Sequence, residues 1–349
     1  MAARVKVGIR EVARAAGVST ATVSQVYNRK GEVASDTRRR VLEVGARLGY
    51  RPNLIGQALR SGRSRVIGVV ISHQDYAVWE QTYMPVYQSI IAGAAIEAVS
   101  HGYSISAAPS SPSGDIETQV PLDGIIVIDP VIDDPVVERS LEAGLAVIAD
   151  GGFDPSDPTA RLRSVRYDMA QGVPALLDHL ARSAPGKQLQ PALVIGPRID
   201  TFSVDTEAAY RSWCVAHGVP AQIAALALDQ EPVDAARALV AQMPHVNAVH
   251  CLNETYSNAV IAAATERGIE IPTDLQISAF GSSRSTSADS RVAYLCVDPL
   301  LSGARCARML IALLEGSDVD DVVEVAALVP AGGTAVPPAL GVSTTSRES

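Results

Sequence analysis

The chain has 349 residues, of which 47% are hydrophobic and 19% charged, and its formal net charge is −9. This composition has room for one small and one larger globular domain and excludes a disordered or collagen-like chain. No apolar run reaches the roughly 18 residues of a membrane-spanning helix, the N-terminus lacks the apolar core of a signal peptide, and four scattered cysteines lack disulfide or zinc-site spacing. These features predict a cytoplasmic protein.

The charge is unevenly distributed along the chain. Residues 1–65 hold 14 Lys and Arg against 4 Asp and Glu, whereas residues 66–349 hold 15 against 34. A basic tail on an acidic protein would give this pattern. A nucleic-acid-binding module joined to a domain that phosphate repels would give it as well.

The basic segment begins with two short predicted helices. Residues 9–16 place apolar side chains on one face, Gly17 ends this helix, and Ser19 caps a second helix over residues 20–28. Two short helices joined by a tight turn that contains glycine are typical of a helix-turn-helix. An ordinary helical hairpin is the alternative on this pattern alone.

The second predicted helix has two different faces at about 100° per residue. Val23, Val26 and Tyr27 share an apolar face that suits packing. The opposite face carries small polar side chains and no acidic ones: Thr20, Ala21, Ser24, Gln25 and Asn28. Such a face can approach a major groove closely, where a glutamine amide can make two hydrogen bonds to adenine.

A third helix is predicted from Ser35, as its cap, to Gly49. Its predicted buried stripe is Val41, Leu42, Gly45 and Leu48. Residues 53–62 then form an amphipathic segment that is too short to be stable alone, and Gly56 costs it about 1 kcal/mol relative to alanine. This segment is interpreted either as a linker or as a stretch that becomes helical only on DNA.

The run from residue 9 to residue 72, which includes IREVARAAGVSTATVSQVYN and YRPNLIGQALRSG, resembles the N-terminus of the LacI/GalR family of bacterial transcription regulators. The resemblance implies that Thr20, Ala21 and Gln25 read bases and that Leu59 enters the minor groove at the operator centre. Gly56 and Gln57 stand where the family usually has Ala and Arg, which predicts a less stable hinge. The remaining DNA-binding positions are Ser19, Thr22, Ser24, Asn28, Tyr50 and Asn53.

From residue 66 onward, apolar strand-like runs alternate with helical stretches, a pattern typical of parallel sheets with right-handed crossovers. The runs are VIGVVIS, YSISAA, LDGIIVID, LAVIAD, PALVIG, NAVHCLN, LQISAF and AYLCVD. Since about 275 residues exceed the needs of one doubly wound sheet, two lobes are expected. The resemblance implies two periplasmic-binding-protein-like lobes, with crossovers near Arg166, Pro299 and residue 327.

The predicted fold is therefore an N-terminal all-α helix-turn-helix domain followed by an α/β two-lobed periplasmic-binding-protein-like effector domain. The expected boundaries are 1–52 for the DNA-binding domain, 53–65 for the hinge helix and linker, and 66–349 for the effector-binding and dimerisation domain. The C-terminal tail, VPPALGVSTTSRES, has no apolar heptads, so no tetramerising coiled coil is expected.

Ligands of open α/β sheets bind at the carboxyl ends of strands, here between the lobes. Each of three candidate contacts has an alternative role. His250 can be a structural histidine whose hydrogen bonds are satisfied within the protein, and Asp168 and Asn253 can be turn or hinge residues. The aromatic Tyr87 is expected to stack on a ligand just before the first helix of this domain. The resemblance places effector contacts at Tyr87, Asp150, Asp168, Thr206, His250, Asn253 and Gly281.

Two of these positions depart from the family pattern, because Thr206 replaces a ligand-anchoring arginine and Gly281 replaces an aspartate. Such groups orient a sugar or a purine, so the effector identity is not inherited. Glu207, Asp205 or Arg284 are candidate substitutes. The segment HQDYAVWEQTYM is an insertion before the first helix, and PSSPSGDIETQVP replaces the helix that normally precedes LDGIIV.

The motifs GxxxxGK[ST], GxGxxG, HExxH and GxSxG do not occur, which disfavours an enzyme. A solute-binding protein would need export and would have no use for a helix-turn-helix. The sequence therefore predicts a DNA-binding transcriptional regulator, a repressor of a catabolic or transport operon. It would bind double-stranded operator DNA as a homodimer and respond to a small-molecule effector, sugar-like or another metabolite, without cofactor or metal. Activation, or control by a protein partner, is the alternative.

Overall fold

The structure, a computed structural model, describes residues 7–27, 33–50, 63–72, 77–154, 161–184, 186–226, 230–242, 245–282, 289–333 and 342–345. The chain forms two compact units, Met1–Ser64 and Arg65–Ser349. Among the described residues, no helix is long and apolar enough to cross a membrane.

The described part of the first unit contains three helices, α1 (Ile9–Ala16), α2 (Thr20–Tyr27) and α3 (Ser35–Leu48). Gly17 ends α1 in the left-handed conformation with φ of 65°, as the sequence predicts. At the start of α2 the Thr22 amide donates to Ser19 Oγ at 3.0 Å, so the predicted cap is confirmed. The core of the unit consists of Val12, Ala13, Ala16, Val23, Val26, Val41 and Val44.

Two expectations for α3 are wrong. Ser35 is the first helical residue and Ala34 is the cap. A serine followed by an acidic residue suits the first turn of a helix as well as the cap position, because in either place their side-chain oxygens can interact with the free backbone N–H groups at the helix start. Leu42 is 44% exposed while Val44 is buried, since the inward face follows the spacing of Val41, Val44 and residue 45.

The described residues of the second unit form thirteen strands. They are β1 (Val66–Ile71), β2 (Ser104–Ala107), β3 (Gly124–Ile128), β4 (Ala146–Asp150), β5 (Leu162–Tyr167), β6 (Pro191–Ile195), β7 (Gln222–Ala225), β8 (Ala248–Cys251), β9 (Gln276–Ser282), β10 (Val292–Val297), β11 (Asp321–Glu324), β12 (Ala327–Val329) and β13 (Val342–Thr345). One sheet has the order β13-β11-β5-β4-β3-β1-β2 and the other β12-β10-β9-β8-β6-β7. Among these strands, β13 and β12 pair antiparallel with their neighbours, and the others pair in parallel.

The two sheets are the cores of two lobes, as predicted. The chain passes from the first sheet to the second after β5 and returns after β10, near Arg166 and Pro299. It passes again to the second sheet at β12, which begins at Ala327. A fourth passage, to β13, is not apparent from the sequence.

Within the parts of this unit that the structure describes, seven helices flank the sheets: α4 (Ala77–Ser100), α5 (Pro135–Glu142), α6 (Met169–Ser183), α7 (Thr201–His217), α8 (Pro232–Gln242), α9 (Glu254–Glu266) and α10 (Pro299–Glu315). The expectation that HQDYAVWEQTYM precedes the first of them is wrong, because residues 77–84 belong to α4. Pro85 and Tyr87 therefore lie inside a helix, which tolerates the proline at the loss of one backbone hydrogen bond. Residues 73–76 lie outside the described residues. Residues 108–123 form no helix, as expected.

The crossing of α4 and α10 in the first lobe brings two backbones into direct contact. A Cβ on Gly93 would lie 1.9 Å from the Leu300 carbonyl oxygen, and a Cβ on Gly303 would lie 1.9 Å from the Ile90 carbonyl oxygen. Neither position has room for a side chain. This contact joins a helix from the beginning of the second unit to one near its end.

Candidate functional site

The outer face of α2 is where the sequence places base contacts. The helix itself carries no charged residue, although residues 1–65 hold a large excess of basic ones. Val23 and Val26 are buried and attach α2 to its core. Four of the predicted contact residues are exposed: Ser19, Thr20, Ala21 and Gln25. Two others, Thr22 and Ser24, are partly buried. This face is small in its side chains and free of acidic groups.

Tyr50 has a packing partner within the first unit. Its ring centroid lies 5.1 Å from that of Tyr27 in an edge-to-face arrangement. The Tyr27 hydroxyl in turn lies over Gly45, where a Cβ would be 1.8 Å from the oxygen. These contacts fix α2 against α3, and a DNA contact by Tyr50 stays a prediction. Asn28, Asn53, Gly56, Gln57 and Leu59 lie outside the described residues.

In the second unit, Asp150 ends β4 at the carboxyl edge of the first sheet. Its Oδ1 accepts a hydrogen bond from Ser302 Oγ at 2.7 Å. Its Oδ2 is buried and accepts no hydrogen bond from a nitrogen or oxygen donor of the described residues, while the Cys306 thiol hydrogen bonds with the same carboxyl group. Burial raises the pKa of Asp150 to about 6, although the hydrogen bond from Ser302 opposes this rise. This position is at the edge where open sheets bind ligands.

Asp129 directly follows β3, the neighbouring strand, and sequence reasoning missed it. Its φ is 46°, in the left-handed region, and its amide donates to the Asp150 carbonyl oxygen at 2.8 Å. Burial, and then the nearby Asp200 and Asp150 carboxyls, raise the pKa of Asp129 to about 8, while a hydrogen bond from Tyr87 lowers it. The segment IIVID ends in the same way as VIAD, and that shared ending is the signal that identifies Asp129.

Tyr87 reaches this site through its hydroxyl group. Its ring is 2% exposed and packs in the core of the first lobe with Ile67 and Ile90. A buried ring has little face to offer a ligand, so the expected stacking contact stays a prediction.

The two lobes touch beside these carboxyl groups. Val131 and Asp200 form an antiparallel bridge, and the Ile132 amide donates to the Ile199 carbonyl oxygen at 2.7 Å. Asp200 also caps α7, where it accepts a hydrogen bond from the Ser203 amide at 2.7 Å. Asp200 therefore brings a carboxyl group from the second lobe to the acidic residues of the first.

The raised pKa of Asp129 predicts that the free energy of unfolding depends on pH. An aspartate in the unfolded chain ionises near pH 4, whereas Asp129 in the folded protein has a pKa of about 8. Between these values the folded state holds the proton, so the free energy of unfolding falls as the pH rises. We expect the thermal midpoint to fall from about pH 6 to about pH 9, and Asp129→Asn to reduce this fall. An equal fall in both proteins would contradict the assignment.

The second lobe contributes two buried polar groups. His250 in β8 is fully buried, and its Nδ1 hydrogen bonds with Ser278 Oγ at 3.2 Å. Burial lowers the pKa of His250 to about 4, so the ring is neutral. Nε2 of His250 and Oγ1 of the fully buried Thr206 have no partner among the described residues. The structural alternative for His250 thus accounts for one ring nitrogen and leaves the other without a hydrogen bond.

Asp168 and Asn253 both cap helices. The Gln171 amide donates to Asp168 at 2.9 Å at the start of α6, and the Tyr256 amide donates to Asn253 Oδ1 at 2.9 Å at the start of α9. These are the turn roles that the sequence leaves open. Contact of either side chain with an effector stays a prediction.

The place of an aspartate side chain at position 281 is taken by Glu254. A Cβ on Gly281 would lie 3.0 Å from Glu254 Oε1 and 2.8 Å from Tyr294 Cδ1. The same Oε1 accepts a hydrogen bond from the Ser282 amide at 3.2 Å. The carboxylate that position 281 lacks is therefore supplied at this edge by the first residue of α9.

Of the three substitutes named from the sequence, Glu207 is paired with arginines, Asp205 is partly buried near Arg166, and Arg284 is not among the described residues. Glu207 accepts hydrogen bonds from Arg198 and, at 2.8 Å, from Arg211. Burial raises the pKa of Asp205, while Arg166 opposes this rise. Arg284 lies outside the described residues.

Two family models match this chain. One, described as bacterial regulatory proteins of the lacI family, matches residues 8–53, which include α1, α2 and α3. The other, described as a periplasmic binding protein-like domain, matches residues 190–332. Together the two matches cover more than half of the chain.

Curated relatives are similar over much of the chain. The HTH-type transcriptional regulator RegA of Clostridium saccharobutylicum is 26% identical over 332 residues, which is 90% of this chain and 94% of that protein. Catabolite control protein A of Streptococcus mutans is 32% identical over 221 residues, which is 61% of this chain and 62% of that protein.

Solved structures have the same fold. The lac repressor dimer bound to operator and the anti-inducer ONPF has a TM-score of 0.71 at 21% identity, over 95% of this chain and 100% of that chain. A complex of the transcriptional regulator CelR with cellobiose has a TM-score of 0.63 at 23% identity, over 94% and 100%. With its helix-turn-helix unit and its two-lobed second unit, the chain belongs to the LacI family of bacterial regulatory proteins.

Proposed function

We propose that this protein is a transcriptional repressor that binds operator DNA as a homodimer and is controlled by a small molecule bound between the lobes of its second unit. The observation that carries this proposal is the outer face of α2, which is exposed, neutral and small in its side chains, in a strongly basic unit with its own core. Such a helix fits the major groove, and the basic residues around it suit the phosphates.

The family assignment supports a regulator rather than an enzyme. The likeness to an operator complex and to a cellobiose complex supports operator DNA as one partner and a sugar-like or other metabolite as the other. The proposed target operon encodes catabolic or transport proteins, and the proposed location is the cytoplasm, because the DNA target is there.

Selection of binding sites from random DNA tests this function directly. We expect a roughly two-fold symmetric site, because one short helix contacts too few bases to be selective. Gln25→Ala should cost about 1–3 kcal/mol on the selected site and change the preferred base at one position in each half. Gln88→Ala, which removes an exposed glutamine of α4, should bind as the parent does. An equal loss on every DNA sequence would show that Gln25 contacts only the backbone of the DNA.

The dimer interface is expected to include α4. Ile96 and Val99 are 66% and 68% exposed on one face of this helix, next to the exposed Ala92. Apolar side chains at this helical spacing commonly lie in a protein interface. The double substitution Ile96→Glu and Val99→Glu should convert the dimer into a monomer in analytical ultracentrifugation. Val215→Glu, on the isolated exposed Val215 of α7, should leave it a dimer. A dimeric double variant would exclude this face.

A further inference from the structure

We infer that the small molecule bound between the lobes carries a positive charge, as an ammonium or guanidinium group that binds beside Asp129 and Asp150. This inference rests on the proposed function, because it names the chemical class of ligand for the same cleft. It does not follow from the relatives, whose named ligands include a neutral sugar.

The first reason is an uncompensated group of carboxyls. Asp129 and Asp150 end neighbouring strands of the first lobe, and Asp200 faces them from the second lobe across the bridge to Val131. Within the described parts of the chain, no lysine or arginine forms an ion pair with any of the three. Buried carboxylates without a cation are costly, so the folded protein holds part of this charge as bound protons.

The arginines near this edge are paired with other groups. Arg166 binds Asp154 and donates to the Phe153 carbonyl oxygen at 2.9 Å. Arg305 binds Glu324 in a largely buried pair. Neither guanidinium is available to Asp129 or Asp150 without the loss of an existing partner.

The second, independent reason is the buried Oδ2 atom of Asp150. The residue is 4% exposed, Ser302 donates to its Oδ1, and the Cys306 thiol hydrogen bonds with the carboxyl group, yet no nitrogen or oxygen donor of the described residues reaches Oδ2. A buried oxygen without a donor destabilises the protein, and a bound group that supplies donors removes that cost. An ammonium or guanidinium group supplies several donors together with the missing charge.

The geometry favours an organic cation over a metal ion. Among the described residues, no three His, Cys, Asp or Glu side chains are placed to hold a metal. Asp200 uses one oxygen for the Ser203 amide and the other for the Ser203 hydroxyl, at 2.7 and 3.1 Å. Asp200 therefore contributes charge at a distance, while Asp129 and Asp150 supply the contacts. An anionic ligand would add negative charge beside carboxyls that already hold protons to reduce their own, so it is disfavoured.

Matched sets of small molecules test this inference on the full-length protein. Each set keeps size and shape nearly constant and varies charge: glucosamine, glucose and glucuronate form one set, and putrescine, 1,4-butanediol and succinate form another. We expect at least one amine to raise the thermal midpoint and to bind at least about tenfold tighter than its neutral and anionic counterparts. The double variant Asp129→Asn and Asp150→Asn should lose this preference. Glu315→Gln, which removes an exposed carboxylate of α10, should keep it.

Two results would overturn the inference. One is the failure of every amine to bind, and the other is a neutral or anionic member that binds as tightly as its amine. The midpoint and operator affinity of the double variant without ligand show whether that variant folds. Operator binding without ligand also separates this inference from the proposed function: a protein that binds its operator and responds to a neutral molecule retains the function and loses the inference.

Discussion

Operator affinity is expected to fall by roughly three to five decades when the salt concentration rises from 50 to 200 mM, if the dimer makes 6–10 phosphate contacts. Each contact by a basic side chain releases condensed counterions, and this release is less favourable at high salt. Residues 1–65 supply 14 basic side chains against 4 acidic ones, while the rest of the chain has 15 against 34. The second unit is thus repelled by phosphate, and the whole attraction must come from the basic segment.

Fluorescence anisotropy on a labelled operator at several salt concentrations measures this slope. Random DNA is the control, because sequence-independent binding should be weaker and also salt-sensitive. A flat response on the operator would contradict the assignment of DNA binding to the basic segment.

Replacement of Gly303 by alanine is expected to destabilise the second unit by about 3 kcal/mol, at or beyond the upper end of ordinary overpacking. The new Cβ would lie 1.9 Å from the Ile90 carbonyl oxygen. A backbone atom cannot move away by a change of rotamer, so α10 must separate from α4. A loss of this size should lower the thermal midpoint by roughly 6–12 °C.

Gly172→Ala in α6 is the matched control, since it also replaces a glycine inside a helix. Its Cβ would lie 3.5 Å from Leu295 Cδ1, an ordinary contact distance. This change should be neutral or stabilise the protein by up to about 1 kcal/mol, because alanine favours helix. Equal midpoints for the two variants would show that the helix crossing relaxes easily.

The elements that the sequence predicts well have a strong local signal. The glycine after α1 and the serine before α2 mark the ends of those helices at the observed residues. The apolar runs in the sequence do not predict five of the strands, which are β5, β7, β11, β12 and β13. In β5, Arg163 and Arg166 interrupt the apolar pattern, and β7 and β11 have only four residues each. Pairing with neighbouring strands, which a local pattern does not contain, decides their structure.

The candidate ligand site is only partly predictable for a similar reason. Asp150 and Asp129 each follow an apolar strand, so their positions at the sheet edge are visible in the sequence. The replacement of a residue-281 carboxylate by Glu254 is not, because the two residues are 27 positions apart and meet only through the pairing of β8 with β9. The hydrogen bonding of Asp150 is likewise not visible in the sequence, because the donor to its Oδ1 is Ser302, which comes from the far end of the chain.

The return of the chain to its first lobe has a consequence for synthesis on the ribosome. The N-terminal unit has a core of its own within residues 12–44, so it can fold as soon as that stretch has emerged. The first lobe must wait for α10 and β11, because Gly303 packs on α4 and β11 pairs with β5. At about 5–20 residues per second, that delay is roughly 13–50 s. During this time each nascent chain has a folded DNA-binding unit and an incompletely folded second unit. It can acquire the response to its ligand only after translation is nearly complete.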